Sequence, residues 1–325
     1  MAGYVLRRVA GSLVVLLAVA TLVFVLVDFA PGDPARIYAG QYATEEDVAA
    51  VRAQMGLDGS LGERYWAYLT HAMTGDLGTS IFTGRDVLTE VLQRAPATLE
   101  LAILALVIAT PIGIALGRFS GARYGSRLDS VLRVGTLVSF SIPGFWLALL
   151  LLFLFGLYVP GVLPTGGWVP LTQNPWDNLT HAVLPVFVLA LPYVAMIART
   201  LRVSMLDALG RDYVVFARVM SLPAREVNGR VALPNAIIPT ATVIGLALAY
   251  LIGGTVIVEV VFTIPGIGQL MVDSFAKQDF PVAIGCTLFV AVFCVLLNLI
   301  VDVLYAVINP KLRELYRQRL SVRDL

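Results

Sequence analysis

The side chains that most readily bind transition metals are rare in this sequence and far apart. The two histidines, His71 and His181, have no cysteine or paired carboxylate at ligand spacing, so each is interpreted as a structural or interfacial residue. The two cysteines, Cys286 and Cys294, stand eight positions apart in one apolar run. On a straight helix that spacing is about 12 Å at 1.5 Å per residue, too far for a disulfide. The sequence therefore predicts no metal site, and the cysteines do not identify a redox compartment.

The sequence also lacks the common loop that holds nucleotide phosphates. The only lysines, Lys277 and Lys311, follow Ala276 and Pro310 rather than the glycine of G-x-x-x-x-G-K-S/T. The nucleophile motif G-x-S-x-G is absent as well. We therefore expect no catalytic residue and no cofactor in this chain, and a role in transport rather than in catalysis.

Ionisable side chains in or near the apolar segments are the remaining candidates for chemistry. A charge at the centre of a bilayer costs roughly 2.5 to 3.5 kcal/mol, so each such residue requires a reason. Asp28, Glu100 and Glu259 stand at the ends of apolar runs, where they can reach the interface. Asp302 is deeper, and Asn298 precedes it by one helical turn on the same face. This pair is predicted to hydrogen-bond to another helix, since a proton pathway would normally need more such groups.

These residues must be positioned by helices that cross a membrane. Hydrophobic residues make up 58% of the chain, charged residues only 14%, and the mean hydropathy is +0.83. Since about 20 apolar residues span the hydrocarbon core, six spans are predicted, at residues 9–27, 97–116, 134–158, 182–198, 236–258 and 282–308. The predicted fold class is an all-α integral membrane protein. The first run could instead be a signal peptide with Ala18 and Ala20 at its cleavage site, but it continues to Val27, so a retained span is favoured.

The basic residues orient the spans. With the N-terminus inside, 17 of the 23 lysines and arginines fall on inner segments and 6 on outer ones. An excess of positive charge on the inner side is the rule for proteins with several spans. The sequence therefore predicts that both termini and residues 199–235 are cytoplasmic and that residues 31–96 are external. The net charge of +1 conceals this asymmetry and gives no indication of nucleic-acid binding.

The external segment after the first span contains three predicted helices. Thr44 precedes an acidic first turn, and Ser60 with Glu63 forms a capping box ahead of an amphipathic stretch. A third helix is expected from about residue 85 to 94, ended by Pro96. The chain is accordingly divided into an N-terminal part with the first span (1–30), the external segment (31–96) and a five-span core with a cytoplasmic loop at about 199–235 (97–325).

The charged stretch at residues 212–239 lies between two strongly apolar runs. Tyr213, Phe216, Ala217 and Met220 fall at i, i+3, i+4 and i+7, which predicts an amphipathic helix. The proline at position 223 disfavours helical geometry in the residue before it, so a turn is expected at 221–223. The predicted order is helix, turn, helix and membrane span. A loop this polar in so apolar a protein is expected to bind another protein.

This loop resembles the cytoplasmic loop of ABC-importer permeases of the dipeptide, oligopeptide and nickel family. That family's pattern runs approximately D-Y-x-x-x-A-R-A-K-G-L and then H-A-L-R-N-A-x-x-P. The matching residues are Asp212, Tyr213, Ala217, Arg218, Leu222, Ala232, Leu233, Asn235, Ala236 and Pro239. The departures are Val219, Met220, Ser221, Val231 and Pro234. Ser221 replaces a glycine, which adopts a left-handed turn without the steric cost that serine incurs.

Fragments with the family's order and spacing occur along the whole chain. They are Arg7-Arg8 and the stretches at 31–34, 75–80, 96–101, 141–146, 262–268, 279–281 and 302–310. Taken in order, they resemble the first of the family's two permease subunits, which has a long external segment after its first span.

The resemblance implies an importer of short peptides built from several subunits. Two different permeases would form a heterodimer within the lipid of the bacterial cytoplasmic membrane, together with two cytoplasmic ATPases that bind ATP and magnesium and an external substrate-binding protein. The loop would bind in a groove of one ATPase through Asp212, Tyr213, Ala217, Arg218, Ser221, Leu222, Pro223 and Glu226. The alternatives are the same architecture importing nickel chelates or other small solutes, and an ion-coupled secondary carrier. The internal repeats and mid-membrane ionisable groups of such carriers are not found in this sequence.

Overall fold

The fold is helical. The structure, a computed structural model, describes residues 2–29, 33–40, 42–54 and 56–308. Within these ranges the helices are α1 (Ala2–Asp28), α2 (Pro34–Ala39), α3 (Glu45–Gln54), α4 (Leu61–Thr74), α5 (Val87–Ala122), α6 (Arg127–Ser141), α7 (Gly144–Phe153), α8 (Pro175–Leu209), α9 (Asp212–Val219), α10 (Ala224–Glu226), α11 (Leu233–Val261), α12 (Ile267–Lys277) and α13 (Phe280–Ile308). Two π-helical turns, Leu154–Tyr158 and Val227–Ala232, extend α7 and join α10 to α11. The predicted all-α class is confirmed.

The five basic residues after position 310, and parts of the fragments at 31–34 and 302–310, lie outside the described residues.

Five helical stretches are long and apolar enough to cross a membrane, and a bent pair makes a sixth if it counts as one span. That pair replaces the predicted span at 134–158, because α6 and the stretch from α7 to Tyr158 are bent by 93°. Pro143 causes the break, since it disfavours helical geometry in Ile142, whose φ of −76° and ψ of 121° are extended. The predicted run at 134–158 therefore contains two helices with a bend between them. By contrast, α8 continues without a break through Pro185 and Pro192.

Two of the three helices predicted between the first two spans are confirmed, and their external location stays a prediction. Before α3, the Thr44 Oγ1 atom accepts from the Asp47 amide at 3.2 Å, and Ser60 with Glu63 forms the complete capping box of α4. The third helix was predicted to end before Pro96, which is wrong, because it is the start of the 36-residue α5. Pro96 lies on the exposed side of α5, so the buried face of the helix runs past it. That burial offsets the one backbone hydrogen bond that the proline removes.

The chain divides into two compact units, of which the first contains the residues up to Thr98 together with Pro265–Leu299. Here α1 packs against α4, and Asp28 at the end of α1 forms an ion pair with Arg64 at 2.6 Å. A hydrophobic cluster holds α5, α12 and α13 together, formed by Val87, Val91, Ala95, Ile267, Val282 and Cys286. The three-part division predicted from the sequence stays a prediction.

Hydrogen bonds in the first unit join fragments that are far apart in the sequence. The Ser80 hydroxyl donates to Asp279 Oδ2 at 2.6 Å, and the Ile81 amide donates to the other carboxylate oxygen at 3.2 Å. The Ile267 amide donates to Thr98 Oγ1 at 2.9 Å. The fragment at 75–80 is thereby fastened to that at 279–281, and the fragment at 96–101 to that at 262–268. The first pairing ties the segment before α5 to the turn between α12 and α13, and the second ties α5 to the start of α12.

The second unit comprises Leu99–Ile264 and continues from Ile300. Its central helix is α8, which packs against α11, α6 and α5. On α5, Gly113, Gly117 and Gly121 repeat every four residues and face α8. A Cβ atom on Gly117 would lie 2.6 Å from the carbonyl oxygen of Ala198, and one on Gly113 would lie 2.7 Å from Ile197 Cβ. These glycines therefore let the two backbones approach as closely as in small-residue helix pairs of membranes.

Candidate functional site: the loop after α8

The loop predicted to bind a partner begins directly at the end of α8. Only Gly210 and Arg211 separate α8 from α9. The Arg211 guanidinium donates to Asp207 Oδ2 at 2.9 Å, and this hydrogen bond raises the pKa of Arg211 above its ordinary value. Both side chains are more than 60% exposed, so this ion pair contributes little to the attachment of α9. The position of α9 on α8 is determined mainly by its buried apolar face.

One face of α9 packs inside the chain. Val214 is fully buried and Ala217 is 6% exposed, in a cluster with Leu201, Met205 and Ala208 of α8. Ala217 belongs to the apolar face predicted from the sequence, whereas Val214 was missed. The spacing of three residues between Val214 and Ala217 is the signal that could have identified this inner face.

The opposite face of α9 exposes large apolar side chains. Tyr213, Phe216, Val219 and Met220, which we call the α9 patch, are 40%, 66%, 74% and 64% exposed. Aromatic residues and methionine are enriched at protein interfaces, and exposed apolar patches are typical of surfaces that bind other proteins. The α9 patch can bind a partner without any rearrangement of the α8 contacts.

The turn after α9 has left-handed geometry. This geometry has a steric cost for serine that it does not have for glycine. Ser221 has a φ of +59°. Its amide donates to the Arg218 carbonyl at 2.9 Å, and the Leu222 amide donates to the Ala217 carbonyl at 3.2 Å. These two bonds form a Schellman motif, which usually has glycine at the left-handed position. Pro223 then ends the turn in an extended conformation with ψ of 144°.

The second half of the loop contacts α5. Glu226 forms an ion pair with Arg230 at 3.7 Å across one helical turn. A Cβ atom on Gly229 would lie 3.1 Å from the Arg118 guanidinium of α5. Among the residues predicted to contact the ATPase, one is buried (Ala217), one is half-buried (Glu226), and six are exposed (Asp212, Tyr213, Arg218, Ser221, Leu222 and Pro223).

An ion pair beside the loop was not predicted from the sequence. Arg202 of α8 donates to both carboxylate oxygens of Asp129 in α6, at 2.7 and 2.8 Å, and the Asp129 side chain is only 1% exposed. The Ser120 hydroxyl and the Gly125 amide also donate to this carboxylate. Ser126 caps α6 by accepting from the Asp129 amide at 3.1 Å. The spacing of Ser126 and Asp129 is that of an N-cap pair, but the partner on α8 is 73 residues away.

The other predicted polar residues are placed as follows. On α13, Asn298 is exposed and Asp302 is half-buried, and their predicted bond to another helix stays a prediction. His71 lies 2.8 Å from Asp76, and their hydrogen bond lowers the pKa of that carboxyl. The ring of His181 lies 2.8 Å from the Asp177 carbonyl. Within the described ranges, no three His, Cys, Asp or Glu residues come together as a metal site would need.

Two family profiles together match most of the chain. The profile described as the binding-protein-dependent transport system inner membrane component matches residues 109–314, and that of its N-terminal part matches residues 1–102. The chain belongs to this family of membrane transport components. The region that the first profile matches contains the bent α6–α7 pair, α8, the loop with α9 and the three glycines of α5, but not residues 87–108 of α5.

Relatives from several bacteria are similar over nearly the whole chain. A probable peptide ABC transporter permease of Sinorhizobium fredii is 35% identical over 95% of this chain and 99% of its own. A glutathione transport system permease of Salmonella typhimurium is 39% identical over 96% of this chain and 99% of its own. A probable D,D-dipeptide transport system permease of Escherichia coli K12 is 38% identical over 94% and 96%. The family assigned by resemblance is confirmed.

A solved structure supports the same fold. The crystal structure of an amino acid ABC transporter with histidines covers 67% of this chain and 93% of its own, with a TM-score of 0.51 and 16% identity. At that identity the likeness concerns the fold alone. The chain is therefore a multi-span permease component, and its helices follow an architecture already seen in an ABC transporter.

Proposed function

We propose that this chain is one of the two permease subunits of an ATP-driven importer of short peptides. The relatives named above are permeases of peptide, D,D-dipeptide and glutathione transport systems, and glutathione is itself a tripeptide. Peptides are therefore the cargo that all three names share. The second permease, two ATPases and an external binding protein complete the proposed complex.

The observation that carries this proposal is the α9 patch. Phe216, Val219 and Met220 are more than half exposed on a helix whose other face is anchored to α8. A groove on a cytoplasmic ATPase that accepts these side chains would transmit closure of the ATPase to α8 and hence to the spans. In this proposal ATP and magnesium bind to the ATPase subunits, and this chain performs no hydrolysis.

The proposal requires the loop to be cytoplasmic, as the arginine asymmetry predicts. Single cysteines at Glu46 and Arg225, both exposed, test this orientation after Cys286 and Cys294 have been replaced. A membrane-impermeant reagent added to intact cells should label position 46 and leave position 225 unlabelled until the cells are opened. Labelling of position 225 in intact cells would contradict the orientation and, with it, the docking of an ATPase there.

The decisive experiment measures uptake by proteoliposomes that contain the full complex. Labelled di- to pentapeptides are supplied with the binding protein on one side, and ATP is supplied on the side of the ATPases. We expect peptide accumulation that depends on ATP. The matched control carries a substitution of the P-loop lysine in both ATPases and should accumulate none.

Two other results would refute different parts of the proposal. Uptake of a nickel chelate but of no peptide would contradict the substrate and favour the alternative cargo. Uptake that continues in the ATPase-deficient complex would contradict the importer mechanism and favour an ion-coupled carrier.

A further inference from the structure

A groove in the second unit runs along α5, α6 and α8, away from the α9 patch. It consists of two adjoining cavities of about 700 and 520 Å³. The two cavities share Leu116, Leu132, Thr136 and Ala195, so they form one continuous groove. Its two ends differ in chemistry.

The larger cavity is apolar and elongated. On α5 its lining extends from Leu104 to Leu116, which is about 18 Å along the helix. One leaflet of the hydrocarbon core is about 15 Å thick, half of the usual 30 Å. Gly135 of α6 lines this cavity, and a Cβ atom placed there would meet no atom within 4 Å. The cavity is therefore open, and its length fits a lipid acyl chain.

The smaller cavity is lined by three arginines, Arg133, Arg199 and Arg202, and by no carboxylate. Arg202 is already paired with Asp129. Arg133 donates only to the Ser130 hydroxyl, at 3.3 Å, and neither Arg133 nor Arg199 forms an ion pair within the described part of the chain. Arg133 and Arg199 thus face a cavity whose other polar side chains are the paired Arg202 and several hydroxyl groups.

The charged end lies toward the side of the membrane that is predicted to be cytoplasmic. Arg199 stands ten residues before the end of α8, whereas the apolar cavity begins at Leu179 near the start of that helix. Basic pockets between spans on the cytoplasmic side bind anionic lipid headgroups, and the surface of that leaflet is negatively charged.

We propose that this groove binds one anionic phospholipid of the inner leaflet. The phosphate is held by Arg133 and Arg199, and an acyl chain lies between α5, α6 and α8. A helix of the second permease would fill the apolar cavity equally well, but a hydrophobic helix would leave both arginines without an anion. An inorganic phosphate would satisfy the arginines and leave the apolar cavity empty.

Lipid binding can be measured on the purified complex by native mass spectrometry, with phosphatidylglycerol and phosphatidylcholine added at equal concentration. We expect the wild type to retain phosphatidylglycerol preferentially. Each basic residue near an anionic lipid contributes about fivefold to its binding, so the double variant Arg133→Gln/Arg199→Gln should lower the preference by about thirtyfold. Arg127→Gln is the matched control, because Arg127 is exposed on α6 and does not line the groove.

A second variant tests the acyl-chain cavity without touching the arginines. Gly135→Phe has room for its side chain within the cavity and replaces a helical glycine, so the helix should remain folded. It is expected to abolish retention of phosphatidylglycerol. Glycerophosphoglycerol, which has the headgroup but no acyl chains, is expected not to compete.

Four results of the lipid measurements would overturn the proposal. They are equal retention of both lipids by the wild type, an equal loss in Arg127→Gln, undiminished retention in Gly135→Phe, and full competition by glycerophosphoglycerol. Crosslinking of a cysteine at position 135 to the second permease in high yield would also overturn it, because a protein helix would then occupy the groove. None of these measurements depends on the transported substrate, so the lipid site and the proposed function can fail separately.

Discussion

Replacing Arg202 by glutamine is expected to destabilise the turn between α5 and α6 by about 3 to 5 kcal/mol. Asp129 is 1% exposed and would keep only Ser120 and Gly125 as donors after losing the bonds of 2.7 and 2.8 Å from Arg202. A buried carboxylate without its cation retains the full cost of desolvation. Asp129→Asn should cost less, about 2 kcal/mol, because the Arg202 side chain is 15% exposed and faces a cavity that water can enter.

The double variant distinguishes a specific pair from two independent losses. Asp129→Asn/Arg202→Gln leaves two neutral groups that can hydrogen-bond to each other, so it should be no less stable than Arg202→Gln alone. Amide exchange at residues 123–129 in the purified complex reports the local opening. Since 1.36 kcal/mol is a factor of ten, Arg202→Gln should accelerate this exchange by about two to four orders of magnitude. Losses in the two single variants that add up in the double variant to within about 0.5 kcal/mol would refute the reasoning.

Three further predictions concern exposed parts of the chain. Ser221→Gly should stabilise the loop by up to about 1 kcal/mol by removing the steric cost of the left-handed turn, whereas Ser221→Val should destabilise it; identical thermal unfolding of both would argue against the observed φ. Phe216→Glu should abolish both copurification of the ATPase and ATP-driven uptake. Thermal stability should stay unchanged, because the Phe216 side chain is 66% exposed. Phe216→Leu should retain both copurification and uptake. The hydrogen bond from His71 lowers the pKa of Asp76 in the folded protein below its ordinary value of 3.8. The bond therefore stabilises the segment after the first span at pH values above 3.8. This stability is lost as the pH falls through the lower pKa of the folded state. Asp76→Asn should therefore weaken the dependence of thermal unfolding on acid pH, and Asp58→Asn, exposed in the same segment, should not.

Local signals in the sequence predicted the ends of short helices well. The capping box of Ser60 and Glu63 is present because its hydrogen bonds join residues three positions apart and need no tertiary contact. The left-handed turn at Ser221 was likewise indicated by the position of the missing glycine. Such features depend on a few neighbouring residues, so a single sequence contains the information that determines them.

Proline positions were less informative, because their effect depends on what surrounds them. Pro96 does not end α5, since the helix face that carries Val87 and Val91 stays buried past it. Pro143 breaks a run that hydropathy presents as one continuous span. Proline thus interrupts one helix and is accommodated in another. The length of a hydrophobic run does not show which of these two outcomes occurs.

The parts of the site that depend on long-range packing were not accessible from the sequence. Arg202 was counted only for its charge, and its partner Asp129 is 73 residues away. On α9, the pattern of Tyr213, Phe216 and Met220 correctly indicated an apolar face but not which apolar residues the chain would keep for itself. That choice is made by the shape of α8, against which Val214 fits.

The close approach of α5 to α8 has a mechanical consequence. At Gly117 no side chain separates the two backbones, so neither helix can roll about its axis without collision. Together they would move as one stiff unit, and α9 packs on the C-terminal part of α8 through Val214 and Ala217. A displacement of α9 would then move both helices at once and would be transmitted to them almost in full. A larger residue at position 117 would force the two helices apart. Their movements would then be less tightly coupled, even if each helix still crossed the membrane.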